Sequence, residues 1–163
     1  MKRRDRLTVP VTIPFEGKRK SFLKHLIETN NFQTMIEVGI DTGKTTFHLL
    51  DTIPNLTIYA VDTDISKFYN ESVKEKYGDR LKPIQGYSFQ VVEQFADNFA
   101  DIIFIDADHS YESVKKDILK YTPKLKKGGL LTGHDIDYPG VNKAVKELIK
   151  EFDVGPNFVW IKK

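Results

Sequence analysis

The chain of 163 residues is long enough for one domain with a proper core, and 40% hydrophobic against 29% charged residues place it with globular rather than disordered sequences. The absence of cysteine excludes disulfides, thiol catalysis and Cys-ligated zinc. A net charge of +2 gives no argument for nucleic acid. No apolar run approaches the roughly 20 residues of a membrane span, and the basic N-terminus lacks the apolar core of a secretory signal, so a cytoplasmic protein is expected.

Residues 1–20 carry Lys2, Arg3, Arg4, Arg6, Lys18, Arg19 and Lys20 against Asp5 and Glu16. This arm reads as a solvated tail, extended around Pro10 and Pro14; the competing reading is an arm that touches phosphates. The spacing of Phe22, Leu23, Leu26 and Ile27 predicts a helix over 16–30, stopped by Asn30-Asn31. Met35, Ile36, Val38 and Ile40 then make the short apolar run of a strand buried on both faces, interrupted by Glu37. Gly39 and Gly43 follow, and a helix begins at about Lys44 and ends at Pro54-Asn55. The second strand is expected over Thr57–Thr63, with Asp62 and Asp64 at its end. Ser66 is the expected cap of a helix carrying Tyr69, Val73 and Tyr77, closed by Gly78.

Leu81–Tyr87 reads as a weaker third strand and 88–96 as a short helix capped by Ser88. Ala100–Asp106 is the fourth strand, running into Asp106-Ala107-Asp108-His109. A helix over Ser110–Lys124 follows, with Tyr111, Val114, Ile118 and Tyr121 on one face; Asp108 is its expected cap and Tyr111 a packing residue. Gly128-Gly129 leads into a fifth strand, Leu130–Gly133, ending in His134-Asp135. Pro139-Gly140 opens an amphipathic helix through Phe152, and Asn157–Lys162 looks like a closing strand. There is no repeat and no second domain: residues 1–33 form an arm and helix, and 34–163 the core of one domain.

Strands alternating with helices predict an α/β fold, a doubly wound, mostly parallel Rossmann-like sheet with helices on both faces and no lid domain. Ligands of such folds bind outside the carboxyl ends of the strands. Glu37, Asp62, Asp106 and Asp135 each stand at such an end. The turn Gly39-Ile-Asp-Thr-Gly43-Lys44-Thr45 nearly matches a phosphate loop but is one residue short, and Glu37 would repel a nucleotide's charge. The better fit is a nucleoside with a cationic appendage. S-adenosylmethionine (SAM) has an ammonium, a sulfonium and two ribose hydroxyls; Glu37 suits its methionine end, and Asp62 can accept from the ribose.

Glu37-Val-Gly39-Ile-Asp41-Thr-Gly43 resembles the first motif of class I SAM-dependent methyltransferases, and Tyr59-Ala-Val-Asp62 is similar to their second. Phe104-Ile-Asp106-Ala-Asp108-His109-Ser-Tyr111-Glu112, then Leu125-Lys-Lys-Gly128-Gly129-Leu-Leu and His134-Asp135, resemble the branch related to catechol and caffeoyl-CoA O-methyltransferases. The resemblance covers about residues 34–163. It implies methyl transfer from SAM to a hydroxyl of a small molecule or sugar. Glu37, Gly39, Asp41, Gly43, Asp62 and Asp106 then fall on the cofactor, with Ser88 and Tyr87 near its adenine.

In metal-dependent members of that branch a divalent cation, usually Mg²⁺, binds the acceptor. Asp106 and Asp135 match its carboxylates, but Ile136 stands where an asparagine is usual. Asp106, His109 and His134 are the expected catalytic residues, the histidines as general bases, against the alternative of histidines that order a loop. Only about thirty residues precede the first strand, so a homodimer covering the acceptor side is one expectation. The alternatives are a non-catalytic SAM-binding module and, further off, an NTPase or an RNA methyltransferase.

Overall fold

The computed structural model describes residues 6–163. Five parallel strands, β1 (Thr34–Val38), β2 (Thr57–Asp62), β3 (Leu81–Gln85), β4 (Ala100–Ile105) and β5 (Leu125–Gly133), are followed by an antiparallel pair, β6 (Phe152–Val154) and β7 (Trp160–Lys162). The sheet order is β3-β2-β1-β4-β5-β7-β6. Helices α1 (Arg19–Thr29), α2 (Lys44–Thr52), α3 (Glu71–Tyr77), α4 (Ser88–Val91), α5 (Tyr111–Tyr121) and α6 (Pro139–Leu148) connect them. Among the described residues no helix is long and apolar enough to cross a membrane.

The two-residue alternation of strand side chains divides the core into two layers. Ile36 and Val38 of β1, Ile103 and Ile105 of β4 and Leu131 of β5 pack with Val114 and Ile118 of α5 and Val141 and Val145 of α6. Met35, Ile58, Ile102 and Phe104 face the other way, onto Phe22, Leu23 and Ile27 of α1 and Leu49 and Leu50 of α2. The same alternation carries Glu37 to the α1–α2 side, and Asp106 and His134 follow Phe104 and Thr132 in that phase.

Several local details differ from the expectation. Ser66 caps nothing in α3: Asn70 does, its side chain accepting from the Val73 N–H, while Asp64 caps a single 3₁₀ turn at Ile65–Lys67. Ser110, not Asp108, is the N-cap of α5. Asp108 braces that cap, accepting from the Ser110 N–H at 3.2 Å and its hydroxyl at 2.7 Å. Ser88 opens α4 without capping it. Strand β5 begins earlier, at Leu125, and β6 is additional: three residues carry too little alternation to stand out in a sequence.

Candidate active site

Parallel pairing of β1 with both β2 and β4 brings three carboxyl ends to one rim, and the order of the sheet reverses direction between β1 and β4. A cleft of about 490 Å³ opens there. The Gly39–Asp41 turn, Asp62-Thr63, Lys67, the 86–89 loop, Asp106–Asp108 and Ser113 and Asp117 of α5 line it.

Gly39 makes the rim close. It has φ +88, and an added Cβ would lie 2.2 Å from the Asp106 carbonyl oxygen, so the β1 turn and the end of β4 approach only because no side chain intervenes. Gly43 caps α2 with φ +77, where a Cβ would meet the Phe47 ring at 2.6 Å. Asp41 forms the exposed tip of the turn, φ 54. Lys44, which a phosphate loop would turn onto its nucleotide, is exposed and does not line the cleft.

Glu37 lies beneath this turn, not on the cleft wall. It is 2% exposed, and its Oε2 accepts a hydrogen bond from the Thr46 hydroxyl of α2 at 2.6 Å. Burial pushes its carboxyl up to about 8, against the lowering effect of Thr46 and helped by the nearby negative charge of Asp106. Asp62 is on the wall, but it holds protein as well as facing the cleft. Its Oδ2 accepts from the N–H groups of Ile40 at 2.8 Å and Asp41 at 3.1 Å, and its Oδ1 from Asp64 at 3.0 Å. Burial works against its charge, but the three backbone bonds outweigh it and keep the carboxyl below its usual range. Of roughly four lone-pair sites on a carboxylate, one is left for a ligand hydroxyl, fewer than the two expected.

At the far wall the Ser88 hydroxyl donates to Asp117 Oδ1 at 2.6 Å, and Tyr121 anchors the Ser88 carbonyl at 3.0 Å. Burial raises the Asp117 carboxyl to about 6 in spite of the serine. The reading of the sequence missed Asp117. The signal was present, because residue 117 shares the face of Val114, Ile118 and Tyr121, where a carboxylate must be buried. Tyr87 and Phe89 stack at the mouth, ring centroids 5.7 Å apart.

The acceptor side is a charge cluster at the ends of β4 and β5. His134 Nδ1 lies 3.3 Å from Asp106 Oδ1 and 3.1 Å from Asp135 Oδ2; His109 Nε2 lies 2.7 Å from the same Asp135 oxygen. His109 stacks on Tyr138, and the Arg6 guanidinium lies 4.0 Å from the centroid of the same ring. Asp135 itself has φ 55, a left-handed conformation that Asp tolerates better than most residues. From α1, Arg19 Nη1 reaches Asp106 Oδ2 at 2.7 Å and lies 3.0 Å from His134 Nδ1, while Nη2 reaches the Thr45 hydroxyl at 3.3 Å.

A proton on His134 Nδ1 and a bond donated to that atom by Arg19 exclude each other. Two flanking carboxylates decide for the proton. Burial lowers the imidazole's affinity for it, yet the bonds to Asp106 and Asp135 dominate and raise it to about 9. A general-base role for His134 needs the neutral ring, which these two carboxylates disfavour. The bond to Asp135 likewise raises His109. Asp135, although burial opposes its charge, is held well below the carboxylate range by the two histidines.

Asp106, His134 and Asp135 offer ligand atoms within 4.8 Å of one another, the spacing of a cation site. A divalent ion does not fit them in this arrangement. Asp106 Oδ2 holds Arg19 and its Oδ1 faces His134; Asp135 Oδ2 holds both histidines, and its Oδ1 lies 3.5 Å from Arg6. No carboxylate oxygen of the pair is left without a cationic or N–H partner.

The fold recurs among solved structures. A Staphylococcus aureus protein provisionally described as a caffeoyl-CoA O-methyltransferase superposes with TM-score 0.74 at 20% identity, covering 91% of this chain and 84% of that one. An O-methyltransferase from Bacillus cereus, in complex with SAH (S-adenosylhomocysteine), gives 0.67 at 16%, covering 92% and 81%. CalS11, a TDP-rhamnose 3'-O-methyltransferase of calicheamicin biosynthesis, gives 0.68 at 16%, covering 87% and 77%. An uncharacterized protein of Acanthamoeba polyphaga mimivirus, R132, is 26% identical over 151 residues, covering 80% of this chain and 68% of the relative. The family model described as a methyltransferase domain matches residues 36–136, from inside β1 to just past Asp135 and more than half of the chain, and the protein belongs to that family.

Proposed function

We propose that the protein transfers the methyl group of SAM to a hydroxyl oxygen of a small molecule. The observation that carries this reading is the charge of the cleft: among the described residues Asp41, Asp62, Asp106, Asp108 and Asp117 line it against Lys67 alone. Such a wall attracts a sulfonium and an ammonium and repels a triphosphate. The volume lies within the roughly 300–1,000 Å³ of small-molecule sites.

When bound, SAM supplies a methyl on a positively charged sulfur; the acceptor oxygen forms the new O–C bond as the C–S bond breaks to a neutral thioether, and the acceptor gives up its proton. Asp62 and the turn it clasps hold the ribose end. Ser88 and Asp117 face the base, where a hydroxyl and the carboxylate it bonds read a donor–acceptor edge. Asp106 belongs to both the cleft wall and the histidine cluster, and with its oxygens held by Arg19 and His134 it positions the acceptor side, while His109, part-exposed and paired with Asp135, takes the acceptor's proton. His134 and Asp135 hold Asp106 and the loop in register. The oxygen acceptor is supported by the names of the two neighbours that are O-methyltransferases. A homodimer remains part of this proposal, checked by light scattering at assay concentration.

Calorimetry with SAH, SAM and Mg²⁺-ATP tests the reading. SAH and SAM bind and ATP does not; the reverse result overturns it. With an acceptor in hand, Asp106→Ala and Asp135→Asn each lower turnover by at least about 100-fold, the range for removal of a general base or its support, with the far-UV spectrum unchanged. SAH binding without turnover on any hydroxyl acceptor assigns the chain instead to a cofactor-binding module.

A further inference from the structure

Arg19 enters the acceptor cluster from outside the sheet. Its backbone N–H donates to the Asn157 side chain at 3.1 Å, which ties the first residue of α1 to the turn between β6 and β7. Its guanidinium bonds Asp106 at 2.7 Å and Thr45 at 3.3 Å. Three attachments from three separate segments, one to the backbone and two to the side chain, fix this residue, and its guanidinium is a cation that never loses its charge.

We propose that Arg19 stands in the place of a divalent cation, so that the acceptor side of this methyltransferase is built around a guanidinium and works without metal. Two further features agree. Ile136 follows Asp135 as a fully buried apolar residue, where it offers no oxygen to an ion. Arg6 adds a second permanent cation, 3.0 Å from Asp137 Oδ2 and 3.5 Å from Asp135 Oδ1. Mg²⁺ demands near-octahedral oxygen coordination, and each carboxylate oxygen it would use already faces a cationic or N–H group. Guanidinium has five donors; the bonds above use one hydrogen of Nη1 and one of Nη2, which leaves three, Nε among them, to orient an acceptor oxygen. The metal-free turnover rests on the methyl-transfer reading; the exclusion of the ion does not.

The test is Mn²⁺ titration of the full chain followed by electron paramagnetic resonance, on wild type, Arg19→Ala and Arg19→Lys. Wild type leaves the ion free, and Arg19→Lys, which keeps a cation in place, does the same. Arg19→Ala binds one Mn²⁺ at least tenfold more tightly than wild type, and adding Asp135→Asn abolishes that gain. Arg19→Gln is the second variant should alanine loosen α1, as judged by thermal melting. Stoichiometric binding of Mn²⁺ by wild type that Asp135→Asn removes overturns the proposal, and so does a folded Arg19→Ala or Arg19→Gln protein with no gain in affinity. Turnover lost in EDTA and restored by Mg²⁺ overturns it too. SAH calorimetry run alongside separates the two readings: failure to bind SAH removes the methyl-transfer assignment and leaves the Mn²⁺ result to stand by itself.

Discussion

Asp62 and Asp64 are two residues apart and differ in what they hold. Asp62 accepts from two N–H groups of the glycine turn, whereas Asp64 accepts from Ser66, away from the cleft. Bonds to a charged acceptor contribute roughly 1.5–3 kcal/mol each, and about 1.4 kcal/mol is tenfold in affinity. Asp62→Ala should therefore weaken SAH binding by at least about tenfold and Asp64→Ala by less than about threefold, as read by calorimetry. Equal effects would show that the turn is held by something else. Glu37 makes a prediction of opposite character. Its folded carboxyl titrates at about 8, above the unfolded value of 4.5, so the native state holds the proton more tightly. The resulting stability is fully present below the unfolded value and is lost as pH rises through the folded one. Glu37→Gln keeps an acceptor for Thr46 and cannot ionise. In thermal melts its stability relative to wild type should rise between pH 5 and pH 9; a constant difference would mean that Glu37 is charged throughout.

At the scale of elements, α3 shows how a helix boundary is set by one side chain. Asn70 is extended, and its amide oxygen accepts from Val73 at 3.1 Å. Asn70→Ala should cost about 1 kcal/mol in denaturant unfolding, the usual worth of such a cap, and Ser66→Ala close to nothing. The strands were legible in the sequence because a buried parallel strand is a continuous apolar run, and the runs at 35–38, 58–61 and 102–105 could be little else. Their terminal acids were legible for the same reason, since each breaks a run at its carboxyl end. Asp117 was not, because in a helix one carboxylate among polar neighbours looks solvated until the apolar face is drawn. Helix caps were misplaced by a few residues where several candidates, such as Asp64, Ser66 and Asn70, stand close together.

For the molecule as a whole, what no local pattern could show is which distant parts meet. Arg19 and Asp106 are 87 residues apart, and Arg6 and Asp137 are 131 apart. The basic arm is the clearest case. Lys2, Arg3 and Arg4 lie outside the described residues, but Arg6 and Arg19, which read in sequence as part of a tail, are bound to the acids of the site. These two therefore contribute nothing to a phosphate-binding surface. The residues from Arg6 to Arg19 run along the C-terminal strands, with the N–H groups of Leu7 on Asp137 and of Thr12 and Ile13 on Val154.

That lacing of the two ends has a consequence for how the protein comes into being. Arg19 leaves the ribosome 138 residues before Asn157, the side chain that secures its backbone. At about 5–20 residues per second the wait is roughly 7–30 s. Through that interval the nascent polypeptide already owns the arginine and, 87 residues later, gains the acid it pairs with, but the anchor that fixes the arginine's backbone arrives only with the turn before β7.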